Sequence, residues 1–387
     1  MQRGDQVTTA WIAGVGDTSF GRHEGLDTLD LMSAATRAAL DDAGMTRADV
    51  DGVLTGYSTA MPHLMLASLF AEHFGLDPSY CHSMQMGGGT GCGLVMLAKL
   101  LVESGQCETV LVAAGENRLT NTGGRDSVIQ TLAQVGHATQ EVPFGATIPG
   151  YYGLLASAYM AAYGITEEDL AELAVLMRTH AALHPGSHLT DPITVADVMA
   201  SRPIATPLKL LDCCPISDGG VAVIVTADKA RSKGVRLAGA GQAHQHQHIS
   251  AAPSLSQFGG GPAAARAFAE AGLAPKDVQV AGVYDSFTIT AAILLEEIGL
   301  AERGEAAARA RAGDFGPNGV LPLNTHGGLL SFGHSGVAGG MAHFVEVVRQ
   351  MLGKADARQM PTRPEIGFVH GDGGILSSHV SLLLTQS

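Results

Sequence analysis

Between Gly87 and Gly91 the chain runs Gly-Gly-Gly-Thr-Gly and opens straight into an apolar run from Cys92 to Val102 that stops near Gly105. Glycines let backbone come close to a ligand, and the unpaired N–H groups at a helix start favour negative charge. The stretch therefore predicts a buried helix whose first turn could hold an anionic group, although a tight turn with nothing bound fits the same residues. Cys92 lies one helical turn after Gly88 on the same face. A residue one turn inside a core helix is expected to be buried, which raises a thiol pKa and lowers its reactivity. Cys81 and Cys107 flank the segment and read as packing. The vicinal pair Cys213-Cys214, without zinc-ligand spacing, also reads as core. His244, His246 and His248 alternate and would share one strand face. No carboxylate or cysteine joins them, so a polar strand face is expected rather than a metal site. His180, His184 and His188 recur at helical spacing until Pro185 ends the helix, which points to an exposed loop or ligand-side surface.

The elements that must position these groups come from hydrophobic periodicity and turn chemistry. Trp11 to Gly16 reads as a strand, Asp27 to Ala43 as an amphipathic helix closed by Gly44, and Asp49 to Gly56 as a turn and strand. A second helix is expected over Leu64 to Phe74, and a strand over Glu108 to Gly115. The far half repeats the plan: a strand from Val235, a helix over Ala263 to Ala271 closed by Gly272, and a turn and strand from Lys276. Ala43 to Val50 lies over Ala271 to Val278 without a gap, and Glu108 to Gly115 has its counterpart in Glu365 to Gly374. Strands alternating with helices predict parallel sheets covered by helices, here as a duplicated α/β unit with helices shared between two sheets. The halves are expected at 1–234 and 235–387, with a less regular insertion at about 116–206. Glu141, Tyr151 and Tyr152, by their place in that insertion, are candidate pocket residues.

Bulk composition narrows the classes. With 46% hydrophobic residues, 16% charged and 50 glycines in 387, the chain is a packed globular protein with many tight turns. A net charge of −14 without a basic cluster argues against nucleic acid. No apolar run reaches the length of a membrane span, and a signal-peptide core is absent from the first residues. Five irregularly spaced cysteines fit a reducing compartment, so a cytoplasmic location is expected.

Taken in order, the two half-domains, the glycine turn before a buried helix, Asn324-Thr-His-Gly-Gly, Gly333-His334-Ser-Gly and Gly371-Asp-Gly-Gly resemble the thiolase superfamily. The branch they resemble is the sterol-carrier-protein-X type with its bacterial thiolase-like aldolases. Pro207-Leu-Lys-Leu-Leu-Asp-Cys-Cys-Pro-Ile-Ser-Asp-Gly-Gly is similar to a further family run. The resemblance implies a duplicated five-layered αβαβα fold, a homodimer, and chemistry that makes or breaks carbon–carbon bonds in acyl-CoA thioesters. CoA thioester would be the substrate, with no tightly bound cofactor and no metal. It would lie around Gly88, Gly89, Asn324, Gly333 and Gly373.

Departures from the family pattern fall on the reacting groups. Where such enzymes carry a nucleophilic cysteine before Ser/Thr-Gly, this chain has Gly88 ahead of Thr90-Gly91. The second family cysteine corresponds to His370, the Gly-His histidine is kept as His334, and the Asn-Glu-Ala-Phe site reads Tyr284-Asp-Ser-Phe. Claisen cleavage needs a nucleophile to accept the acyl group. Retro-aldol cleavage of a 3-hydroxyacyl thioester needs only a base, stabilisation of the enolate oxygen and an acid. The similar aldolases also carry tyrosine at the Tyr284 position, which makes Tyr284 the candidate base or acid and puts His334 on the thioester oxygen. Those aldolases are similar in having tyrosine at the His334 position too, so the division of acid and base stays open. Two other readings stand beside this one: an acetyl-CoA acyltransferase using Cys92, and a degenerate acyl-CoA-binding subunit. Aldolases of this type resemble subunits of complexes with a small OB-fold, zinc-ribbon protein that helps bind acyl-CoA.

Overall fold

The computed structural model describes residues 8–121, 130–145 and 147–386. The first half runs β1 (Trp11–Asp17), α1 (Thr28–Ala43), β2 (Gly52–Thr55), α2 (Leu66–Phe74), β3 (Tyr80–Ser83), α3 (Thr90–Glu103) and β4 (Thr109–Asn117). The insertion holds α4 (Ile148–Tyr163), α5 (Glu167–Ala181), α6 (Val195–Ala200) and the small ribbon β5 (Pro203–Ala205) and β6 (Leu208–Lys209), after which β7 (Asp218–Thr226) completes the half. The second half runs β8 (Val235–His244), α7 (Gly260–Ala271), β9 (Val280–Val283), α8 (Thr288–Ile298), α9 (Ala306–Arg311), α10 (Val337–Leu352), β10 (Ile366–Gly373) and β11 (Ser378–Gln386).

Local chemistry sets the boundaries. Asp27 caps α1 through a reciprocal box with Asp30, and Gly44 closes it in the left-handed conformation at φ 65°. Gly272 closes α7 at φ 69°. In each half a one-turn 3₁₀ segment follows, its carboxylate folded back on the chain. Asp49 accepts from the Thr46 N–H at 2.7 Å, and Asp277 from the Ala274 N–H at 2.8 Å. The repeat read in the sequence is thus a repeat in structure, down to the same cap and the same carboxylate.

Nine strands join in the order β3-β2-β4-β7-β1-β8-β11-β10-β9. The two halves are related about the β1–β8 join, which is only two residue pairs long. The expected parallel arrangement is corrected here: β2–β3, β2–β4 and β9–β10 are parallel, but β7 is antiparallel to β4 and β1, and β11 to β10 and β8. The cause is connectivity. A parallel neighbour needs a crossover, whereas β11 follows β10 through a short turn and β7 enters from the long insertion. α3 and α10 pack together and touch strands of both halves, so they form a central layer. With α1 and α2 on one outer face and α7 and α8 on the other, the order is αβαβα. α3 buries ten of its residues, among them Leu94, Val95, Leu101 and Val102. Each fully buried aliphatic side chain of this kind contributes about 1.5–3 kcal/mol. Among the described residues, no helix is long and apolar enough to cross a membrane.

Several expectations change in the fold. β8 ends at His244, so the three alternating histidines do not share a strand face. His244 bonds the Ser378 hydroxyl, and buried His246 bonds the Ile375 carbonyl at 3.0 Å. Among the described residues no group of three His, Cys, Asp or Glu is placed to hold a metal. His180 is buried rather than exposed, facing the Asn324 carbonyl at 3.3 Å, and His184 and His188 are half-buried. Cys107 is buried as packing, whereas Cys81 is exposed on the edge strand β3.

Candidate active site

A cavity of about 590 Å³ opens between the insertion and the central layer. Its wall brings together the Gly87-Gly88 turn, Tyr152, Tyr284, His334 and Asp372. Tyr284 follows the last residue of β9, and its N–H donates to the His370 carbonyl at 3.0 Å. Asn324 fixes that strand end: its Oδ1 accepts from the Val283 N–H and its Nδ2 donates to the Val283 carbonyl, both at 2.8 Å. Asn324 thus acts one residue before Tyr284 and is not itself on the cavity wall. Asp285 points the other way, and its carboxyl takes the Leu329 N–H at 2.7 Å. That bond ties down the π-helical turn Gly328–Phe332, which leads into Gly333-His334. The His334 backbone is held on both sides, its N–H by the Pro215 carbonyl and its carbonyl by the Ser217 N–H, each at 3.1 Å.

These constraints place the Tyr284 hydroxyl 2.9 Å from His334 Nε2, with the rings perpendicular at 89°. Burial pulls the imidazole down to about 3, helped by the Arg118 cation and then His343. Burial pushes the Tyr284 phenol well above its usual range, with Cys214 and Asp372 adding to the effect and Arg118 opposing it. Both groups are therefore neutral near pH 7, and the phenol donates to Nε2. Arg118 is itself buried and balanced by its ion pair with Glu116.

Gly88 explains why no side chain stands beside this pair. A Cβ built there would overlap both the Tyr284 hydroxyl and the Asp372 backbone carbonyl. The hydroxyl fills the space that a side chain at 88 would enter. Gly89 precedes α3, while Gly333, at φ 130°, and Gly373 pack tightly against Ser217 and the Met86 carbonyl; none of the three is on the cavity wall. Cys92 is 2% exposed, its thiol pushed up to about 12 by burial, and it does not reach the cavity.

His370 is not brought to the cavity. It is fully buried within the sheet, with Nδ1 2.8 Å from the Ser381 hydroxyl and Nε2 3.2 Å from His379. The residue that reaches the wall from β10 is Asp372, which the sequence reading missed. Its Oδ2 accepts from the Tyr152 hydroxyl at 3.2 Å, and its Oδ1 has no hydrogen-bond partner among the described residues. Burial raises this carboxyl well above its usual range, which favours its protonated form. The available signal was period-2 alternation: 370 and 372 share a strand face, and the one nearer the strand end meets the cavity. Of the three insertion candidates, Tyr152 lines the wall, stacked on Phe287 at 4.4 Å. Tyr151 and Glu141 are buried away from it. Cys213 and Cys214 are half-buried: they pack against the core, as read, and also reach the cavity wall. Burial raises the Cys214 thiol, which leaves it a weak nucleophile.

Comparison with known proteins places this architecture. The chain is 34% identical to the steroid side-chain-cleaving aldolase of Thermomonospora curvata, over 88% of this chain and 90% of that protein. It is 32% identical to an acetyl-CoA acetyltransferase of Methanothermobacter thermautotrophicus, over 95% and 98%. A solved Ltp2-ChsH2(DUF35) aldolase superposes with a TM-score of 0.85 at 32% identity, covering 98% of each chain. The family described as "Thiolase, N-terminal domain" matches residues 10–229, and "Thiolase C-terminal domain-like" matches 241–386. With both domains matched in order along nearly its whole length, the chain belongs to the thiolase family.

Proposed function

We propose that this protein breaks, or in reverse forms, a carbon–carbon bond of an acyl-CoA thioester by a non-covalent aldol route. The observation that carries the reading is the closed space at Gly88, where the Tyr284 hydroxyl, hydrogen-bonded to His334, fills the volume that a side chain would need. Similarity to the Thermomonospora aldolase supports the same reaction class.

In the cleavage direction Tyr284 takes the proton of the substrate's 3-hydroxyl while passing its own to His334 Nε2. The C2–C3 bond then breaks, its electron pair moves into the thioester, and a ketone or aldehyde leaves. Amide groups of the Gly87-Gly88 turn, ahead of the positive end of the α3 dipole, stabilise the enolate oxygen. The protonated carboxyl of Asp372 delivers a proton to C2 and recovers it from His334 through the site. The products are one carbonyl compound and one shortened acyl-CoA. His370 holds the strand that presents Asp372, and Asn324 holds the strand end that presents Tyr284.

Similarity to an acetyl-CoA acetyltransferase favours a second reading, acyl transfer through Cys92, against which stand the burial and raised pKa of that thiol. A catalytically silent acyl-CoA-binding subunit is the third. The aldolase complex among the structural neighbours supports a partner protein, for which we propose a small OB-fold, zinc-ribbon acyl-CoA-binding subunit. The open edge of β3 favours a homodimer, since unpaired edges invite strand addition. Five irregularly spaced cysteines agree with a cytoplasmic, reducing setting.

The test is incubation with a 3-hydroxyacyl-CoA in the absence of free CoA, with the carbonyl product followed directly. Cleavage is expected, and Tyr284→Phe should lower kcat by about 10²–10⁴ while acyl-CoA affinity stays within a few-fold. Cleavage that requires free CoA and is abolished by iodoacetamide would return the enzyme to thiolysis. Binding without turnover, even with the partner present, would leave the silent subunit.

A further inference from the structure

Arg178, in the last turn of α5, is a charged group on the cavity wall that the reaction above does not use. It is 6% exposed, and the only described arginines buried as deeply, Arg118 and Arg358, are each matched by a buried carboxylate, Glu116 and Glu346. Arg178 forms no ion pair with any described carboxylate. Its Nε donates to the Ser331 hydroxyl and its Nη1 to the Asp191 backbone carbonyl, both at 3.0 Å, and Nη2 donates to no described group. The nearest negative field comes from the exposed Asp191 side chain, and burial still leaves the guanidinium easier to deprotonate than usual. Around it the wall is apolar: Leu189, Leu210, Leu211 and Leu330. A guanidinium removed from water and left without a counter-charge is costly, and such groups persist where a ligand completes them.

We propose that Arg178 recognises an oxyanion of the substrate, a carboxylate or phosphate oxygen pair held by its free Nη2 edge. The inference rests on the CoA-thioester reading and specifies it. Two parts of such a substrate carry this chemistry: a carboxylate on the acyl chain, or the phosphates of CoA. The planar fork suits either, and a lysine would supply charge without the paired donors. Its position on the turn before His334, through Ser331, couples correct seating of the anion to the reacting pair.

Calorimetric affinities of three probes, glutaryl-CoA, butyryl-CoA and butyryl-pantetheine, decide the matter in the intact protein and in Arg178→Gln and Arg178→Lys. If the acyl carboxylate is read, the wild type prefers glutaryl-CoA to butyryl-CoA by about ten-fold or more, and Gln erases that preference while Lys restores part of it. If CoA phosphate is read, Gln weakens both CoA esters by a similar factor and leaves butyryl-pantetheine unchanged. Equal affinities of the wild type for all three probes overturn the proposal, and this measurement does not depend on any variant folding. A Gln variant that melts lower but keeps all three affinities in the same ratio also overturns it, leaving Arg178 as a clamp between α5 and the π-helical turn. Turnover of 3-hydroxybutyryl-CoA is assayed in parallel: wild-type turnover without probe selectivity sinks the Arg178 assignment alone, whereas selective binding without turnover sinks the aldolase reading alone.

Discussion

The two halves of the molecule share one plan, and each sends a helix into the central layer from a glycine-rich turn, α3 from Gly87-Gly89 and α10 from Gly333-Gly336. The difference lies in what those turns carry. The first offers the cavity only backbone, because the Tyr284 hydroxyl and the Asp372 carbonyl leave no volume at Gly88. The second carries His334, and the second half also supplies Tyr284 and Asp372. In the proposed mechanism the first turn is thus a surface of backbone, and the second half supplies the acid and base. A duplicated fold allows this, since each half needs the other's turn only as a wall.

The sharpest way to break the asymmetry is to put an atom on the bare turn. Gly88→Ala drives a Cβ into a hydroxyl that can move and a backbone carbonyl that cannot. We expect kcat/KM to fall by at least about 10², the cost of displacing a reacting group by an ångström, and stability to drop by about 1–3 kcal/mol. Steady-state kinetics and urea denaturation read the two effects separately. Adding Tyr284→Ala should recover only part of the stability, because the Asp372 carbonyl remains. Full activity in Gly88→Ala would mean that the turn has room for a side chain and that the aldol reading has lost its main support.

How much of this arrangement the sequence discloses depends on how local its cause is. The caps at Asp27, Gly44 and Gly272 and the folded-back carboxylates of Asp49 and Asp277 are set by residues within four positions of one another, so the repeat is legible. The Tyr284–His334 pair is legible through motifs and resemblance, though not its 2.9 Å contact. Asp372 is not, because choosing it over His370 requires knowing which end of β10 meets the cavity. The direction of β7 and the emergence of Cys213-Cys214 on the wall are hidden for the same reason: both depend on where the chain returns after a hundred residues.

Acid provides a gentler test of the same contrast. His334 and His343 are pulled down to about 3 by burial, and His379 to about 4. All three lie in the second half; in the first, His180 and His184 of the insertion are also pulled down to about 4, whereas His63, His73 and His82, near its strands, are exposed. Because the folded values lie below the ordinary value near 6.5, the unfolded chain binds more protons between about pH 6.5 and 3–4. Stability contributed by the neutral imidazoles is therefore complete above about pH 6.5 and is lost as pH falls through that window. Denaturant midpoints should fall steadily from pH 7 to 4.5, and hydrogen exchange should show β8, β10 and β11 loosening before β1, β2 and β4. An even loss of protection across both halves would show that acid sensitivity does not follow the histidines.

The smallest effect is expected where a covalent mechanism would predict the largest. Cys92 lies on α3 one turn beyond Gly88, with its sulfur packed near Gly371 and its thiol pushed up to about 12. At pH 7 a group with that pKa is thiolate in only about one molecule in 10⁵, and at 2% exposure no acyl group reaches it. Cys92→Ala removes one buried sulfur from a helix face, so stability should fall by about 1 kcal/mol. Turnover of a 3-hydroxyacyl-CoA should stay within two-fold of wild type, and iodoacetamide should inhibit both proteins equally or not at all. The comparison with Gly88→Ala then becomes quantitative: deleting the one thiol on this helix costs almost no rate, while adding one carbon a turn earlier costs at least about a hundred-fold. If the order were reversed, the bare turn would be incidental and Cys92 the nucleophile, brought to the cavity by an opening of α3.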